Sequence, residues 1–303
     1  MHLKETVFLK EYKMTHFKPL VFLVFILTAA VHSQDFIDQV SPPWGYVFYD
    51  WEGPPVDVIV YIPAETKSND PVLVVVPGAS RDTQRFHGSW LSLAKENKFI
   101  VVTIGAPKTL FPDEWSYNAG GVMTSNGNVS KETEWLFSVI EPIFFDVKEK
   151  YKIETERFHL FGHSAGGGFV HRFMLFKPNA PVVRAVAANP AFVTLPNHNS
   201  LYPFGLGGLP FDDLALSSWF KAEMAVVLGE KDLGPRTQPL SNGKEAREQG
   251  PHCFARGTLL YKVSKQQAKE KNLDFKWRLI TVPGVGHDNL GIAPYACKYL
   301  FGG

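Results

Sequence analysis

The run PVLVVV at 71–76, closed by Pro77-Gly78, leaves few architectures open. A short, continuously apolar, β-branched stretch with no polar alternation reads as a strand buried on both faces, and such strands belong to parallel sheets covered on both sides. Similar runs recur along the chain, as VDVIVYI at 56–62 and FIVVTI at 99–104, with further strands predicted over 157–161, 182–188, 224–228 and 275–282. Between them lie stretches of helical period, around Trp90 to Ala94 and over 130–151, 165–176, 254–271 and 289–300, with Pro142 predicting a kink in the second. This alternation predicts an α/β protein with a mostly parallel sheet and helices on both faces. No internal repeat or linker interrupts 45–300, so one domain is expected over 34–303.

The N-terminus has its own pattern. LVFLVFILTAAV at 20–31 follows Lys13 and Lys18 and precedes His32-Ser33. A basic flank, an apolar centre and a small-residue end predict a signal peptide over 1–33, cut between Ser33 and Gln34, with Met14 as an alternative start. The apolar run is shorter than the roughly 18 residues a membrane-spanning helix needs. The expectation is therefore a secreted or periplasmic protein with no stable membrane anchor after cleavage. In an oxidising compartment the two cysteines, Cys253 and Cys297, predict one disulfide, with two buried thiols as the alternative. One glycosylation sequon occurs, Asn128-Val129-Ser130. With 31 basic against 30 acidic residues the chain lacks the basic footprint of a nucleic-acid binder.

Gly162-His163-Ser164-Ala165-Gly166 fits G-x-S-x-G, preceded by the strand-like FHLF at 158–161 and followed by a helical stretch. In that context Ser164 occupies a strained strand-to-helix turn, where small neighbours let the backbone close. A serine hydroxyl is a weak nucleophile without a base, so a histidine and an acid must follow. AVVLGEKD at 225–232 runs from a strand into Asp232, and ITVPGVGH at 280–287 runs from another into His287. Both would emerge at the carboxyl edge of the sheet, where open α/β sheets gather their sites. Glu230 is the competing acid, two residues nearer its strand. The oxyanion hole is expected from the N–H of Ala165 and that of Ala79 or Ser80.

The PGAS turn, the GHSAGG elbow and the VPGVGHDN loop resemble the α/β-hydrolase superfamily, in particular the exported esterases related to polyhydroxybutyrate depolymerases and feruloyl esterases. The resemblance covers about 56–300. It implies an α/β-hydrolase fold and a serine esterase that needs no cofactor. Many relatives carry His-Gly where this chain has Pro77-Gly78, which bears on the first oxyanion donor.

The connection at about 190–223 is far longer than the 2 to 6 residues usual in α/β units, and predicts a lid-like insertion over the site. Trp115, Tyr117, Tyr202 and Phe204 are expected to line a substrate cleft suited to an apolar or aromatic acyl group. Arg81 and Asp82 are read as a surface ion pair, with binding of a substrate carboxylate as the alternative. His163 is expected to pack beside the site, and His159, His163 and His171 form no compact ligand set, so no metal is implied. The predicted partner is a small-molecule or polymeric ester. A serine peptidase on the same fold is the alternative activity, and a non-catalytic binding protein the alternative class.

Overall fold

The computed structural model describes residues 45–234 and 240–302. The predicted signal peptide at 1–33, with its cleavage point and Met14, lies outside the described residues. Among those described, eight strands form one sheet in the order β1-β2-β4-β3-β5-β6-β7-β8. They are β1 (Tyr46–Phe48), β2 (Val56–Tyr61), β3 (Val72–Val76), β4 (Ile100–Gly105), β5 (Phe158–His163), β6 (Val182–Ala188), β7 (Met224–Gly229) and β8 (Arg278–Val282). From β4 to β8 every pairing is parallel, and β1 and β2 add an antiparallel edge. The helices are α1 (Thr83–Gly88), α2 (Leu91–Asn97), α3 (Ile140–Tyr151), α4 (Ala165–Phe176), α5 (Asp213–Lys221), α6 (Lys244–Glu248), α7 (Cys253–Glu270) and α8 (Asn289–Phe301).

Period-two alternation along the central strands divides the interior into two cores. Val72, Val74, Leu160, Ala187 and Val226 face the helices α3, α4, α5 and α7. Leu73, Val75, Phe161, Val186 and Val227 face α1, α2 and α8. Each β3 side chain is 2% exposed or less. Burying a valine to that degree stabilises by about 1.5 to 3 kcal/mol, an upper bound for an extended reference chain. Hence the strand tolerates no polar residue on either face.

Two of the predicted elements differ from the sequence reading. The segment 130–151 opens as two 3₁₀ turns, Glu132–Glu134 and Leu136–Val139, before α3 begins. Pro142 is then the third residue of α3, in the first turn where no intrahelical partner for an N–H exists, so its ring interrupts no ladder bond. The strand expected from 275 starts at Arg278. The Lys276 N–H instead donates to the Phe220 carbonyl at 2.9 Å and Trp277 Nε1 to the Trp219 carbonyl at 2.8 Å, which ties this stretch to α5.

The predicted Cys253 to Cys297 disulfide is absent: both cysteines are buried and remain thiols. Cys253 opens α7, on one face of the sheet, while Cys297 lies on α8 in the core of the opposite face. The sheet stands between them, and a disulfide needs Cα atoms within roughly 7 Å.

Candidate active site

The loops that leave the carboxyl ends of β3, β5, β6, β7 and β8 all open on one edge of the sheet. Ser164, between β5 and α4, stands at φ 60° and ψ −117°, a conformation costly for any residue with a Cβ. Its surroundings hold it there. The Ser164 N–H donates to the Ala188 carbonyl at 2.9 Å, and the Ser164 carbonyl accepts from the Gly168 N–H at 3.0 Å. A Cβ on Gly162 would fall 2.1 Å from the Gly166 carbonyl oxygen, and one on Gly166 2.1 Å from that of Val76. Both outer positions of the motif are thus fixed by backbone crowding.

The loop after β7 brings Asp232 back under the histidine loop. The N–H groups of Glu230 and Lys231 donate to the carbonyls of Val282 and Val285, at 3.1 and 2.8 Å. Asp232 is buried at 1% exposure, and its Oδ2 lies 2.6 Å from Nδ1 of His287. Glu230 is exposed, so Asp232 is the carboxylate joined to the imidazole. Oδ1 of Asp232 has no hydrogen-bond partner among the described residues. The His287 ring packs on that of His163, with centroids 4.6 Å apart. Since His163 directly precedes Ser164, this contact seats the imidazole beside the elbow.

The turn after β3 closes the other side. The Arg81 N–H donates to the Gly78 carbonyl at 3.0 Å, which leaves Ala79 and Ser80 as the central residues of a tight turn. A Cβ on Gly78 would lie 3.3 Å from that of Ser164, so the turn abuts the serine. Ala165 is the first residue of α4, where an N–H has no intrahelical acceptor. No backbone carbonyl among the described residues accepts from the N–H of Ala79 or Ala165.

Tyr117 braces this turn instead of facing a substrate. Its hydroxyl donates to the Pro77 carbonyl at 2.6 Å, its ring carries the Arg81 guanidinium 3.2 Å above the centroid, and it is 1% exposed. Arg81 in turn donates to the Phe111 carbonyl at 3.2 Å, and burial lowers its pKa from the usual arginine value. Asp82 does not pair with Arg81: it caps α1, accepting from the Arg85 N–H at 3.0 Å. Tyr202 likewise turns inward at 2% exposure, its hydroxyl donating to the Ala119 carbonyl at 2.5 Å. Desolvation holds both phenols above their ordinary pKa. The reason is shared: a buried tyrosine needs a partner for its hydroxyl, and both find a backbone carbonyl of a loop. Trp115 and Phe204 are only partly buried and remain candidates for the cleft wall.

One residue of the site went unnoticed in the sequence, and another, Cys253, was read only as a disulfide partner. Asn189, the first residue after β6, is fully buried and touches three site loops. Cys253 places a sulfur within 4.8 Å of ligand atoms of Asp232 and His287. Those three could form a metal site on proximity, but the imidazole and carboxylate are already joined to each other at 2.6 Å, as an oriented base requires. An Asn-Pro pair directly after a strand at the site edge was the available signal for Asn189. Cys253 had none, because it is brought in by a helix on another layer.

With this geometry in place, the relatives are informative. The structure of poly(aspartic acid) hydrolase-1 from Sphingomonas sp. KT-1 superposes with a TM-score of 0.81 at 35% identity, covering 85% of this chain and 97% of that one. A poly(3-hydroxybutyrate) depolymerase from Bordetella parapertussis gives 0.79 at 28% identity, over 89% and 94% of the two chains. A bifunctional acetylxylan esterase/xylanase of Neocallimastix patriciarum is 30% identical over 122 residues, 39% of this chain, and the match spans only 16% of that relative. No protein-family model matches the chain. The chain belongs to the α/β-hydrolase superfamily, among its depolymerase-like and esterase-like hydrolases. It is an enzyme of the hydrolase class.

Proposed function

We propose that this protein is an exported serine hydrolase that cleaves carboxylic esters through Ser164, His287 and Asp232. The observation that carries the reading is the buried Asp232 carboxylate at 2.6 Å from His287 Nδ1, beside a serine on a strained elbow. Asp232 orients the imidazole and stabilises its protonated form. His287 takes the Ser164 proton as the hydroxyl attacks the carbonyl, then delivers it to the leaving alcohol. The N–H groups of Ala165 and Ala79 hold the oxyanion. Water then attacks the acyl-enzyme by the same route in reverse.

The names of the relatives support a polymeric ester as substrate, and the half-buried Trp115 and Phe204 fit an apolar acyl portion. A second reading, cleavage of an amide, is favoured by the likeness to a hydrolase named for poly(aspartic acid), a polymer whose units are joined by amide bonds. The triad serves either bond. Export is supported by the leader-like sequence at 1–33, and N-terminal sequencing of exported protein should begin near Gln34.

The decisive assay runs p-nitrophenyl esters of rising chain length beside a feruloyl ester and an aminoacyl anilide. Ester turnover should dominate. Ser164→Ala and His287→Ala should each lose about 10³-fold or more in kcat, with the thermal midpoint little changed, and Asp232→Asn should be severely impaired. Preferred turnover of the anilide would move the assignment to the amide.

A further inference from the structure

Asn189 joins the strands and loops that present the three reactive side chains. It is fully buried at φ 41°, a left-handed conformation that asparagine tolerates better than most residues. Its Oδ1 accepts from the Gly229 N–H at 2.8 Å, at the end of β7 on the way to Asp232. Its Nδ2 donates to the Gly286 carbonyl at 3.3 Å, one residue before His287. The same Nδ2 lies 3.3 Å from Nε2 of His163, one residue before Ser164. Its N–H donates to the Val227 carbonyl at 2.9 Å, which fixes the backbone as well.

These contacts fix a proton. A backbone N–H can only donate and a carbonyl can only accept, so the amide of Asn189 has one permitted orientation. Nδ2 must therefore donate to His163, and Nε2 of His163 must present a lone pair. We infer that Asn189 is a positioning residue which holds His163 as the neutral Nδ1–H tautomer and sets the three loops against one another. The consequence reaches His287, because the His163 ring is the surface on which its imidazole rests at 4.6 Å. A cation on His163 would oppose the imidazolium that forms on His287 during proton transfer. Locking the neutral form removes that opposition while keeping a flat, polar wall behind the base.

This inference rests on the reading of Ser164, His287 and Asp232 as the reacting groups, and its test is separable from that reading. Long-range proton–nitrogen spectra of protein labelled with ¹⁵N-histidine report the tautomer of each ring directly, with assignment by His163→Gln. At neutral pH, His163 should show an unprotonated Nε2 and a protonated Nδ1, and a proton on Nε2 would overturn the proposal whether or not the enzyme is active. Asn189→Asp supplies the kinetic arm, since it keeps the acceptor for Gly229 and loses both donations. Its kcat should fall roughly 10- to 100-fold through misplacement of the base, with KM little changed and a proton drawn onto Nε2 of His163. A folded Asn189→Asp enzyme with normal kcat would also overturn it. Should that variant fail to fold, the wild-type spectrum decides alone. Activity surviving in Ser164→Ala would instead remove the underlying triad.

Discussion

The placement of Ser164, Asp232 and His287 at one edge of the sheet was legible residue by residue, because each follows an apolar run that can only be a strand and the ends of parallel strands share an edge. Two proposed cleft residues, Tyr117 and Tyr202, were misplaced because aromatic composition does not say which way a ring points. Asn189 was missed because its role depends on three neighbours distant in sequence. A pH effect belongs at this scale. Burial pushes His87 and His159 down to about 4, below the unfolded value of about 6.5. Between those values the unfolded chain binds more protons, so stability is full above pH 6.5 and declines as pH falls toward 4. The loss is on the order of 3 kcal/mol for each ring at most. Urea midpoints taken between pH 7.5 and 4.5 should fall steadily. His159→Phe, which keeps an aromatic ring against Phe301, now 4.7 Å away, should flatten that slope.

Among the elements, the long connection between β6 and β7 shows what a hydrophobic pattern does not reveal. Its length and its prolines announced an insertion, and its helix α5 begins at an Asp212 cap that accepts from Leu214 and Ala215, both at 3.0 Å. The fastening comes from α4, the helix that follows Ser164. Arg172, fully buried on α4, donates to Thr194 Oγ1 at 2.7 Å and to the carbonyls of Pro203, Asn118 and Gly168 at 3.1, 3.0 and 2.9 Å. His171 Nε2 accepts from the Thr194 N–H at 3.0 Å. Desolvation lowers the Arg172 pKa to about 10, yet a guanidinium with that value keeps its proton at neutral pH. Arg172→Met should leave several buried acceptors unpaired and cost about 3 kcal/mol or more, read from denaturant midpoints. An unchanged midpoint would mean the insertion is held elsewhere. The cysteines belong here too. Their helices occupy opposite faces of the sheet, so the protein unfolded without reductant should titrate two thiols, and the native protein should react slowly at both. Even cysteine count and compartment pointed to a disulfide, but layer assignment, which decides it, is a tertiary property.

For the whole molecule, the alternation of apolar strands with helical stretches was enough to specify a mostly parallel sheet, because strands buried on both faces admit few other arrangements. Most strand and helix limits follow the pattern to within a residue or two. The exceptions are the 3₁₀ entry to α3 and the late start of β8, where the backbone of Lys276 and the indole of Trp277 bond to α5 in place of continuing the strand. The sheet sets one edge, and that edge gathers the elbow, the acid loop, the histidine loop and the Pro77–Arg81 turn into one site. The account therefore depends on Ser164 being an activated nucleophile. Reaction of the folded protein with a fluorophosphonate, read by intact mass and peptide mapping, tests this most directly. One adduct should form on the peptide bearing Ser164, and none in Ser164→Ala or His287→Ala. A folded wild-type protein that takes up no adduct, or one that carries it on another residue, would contradict the account.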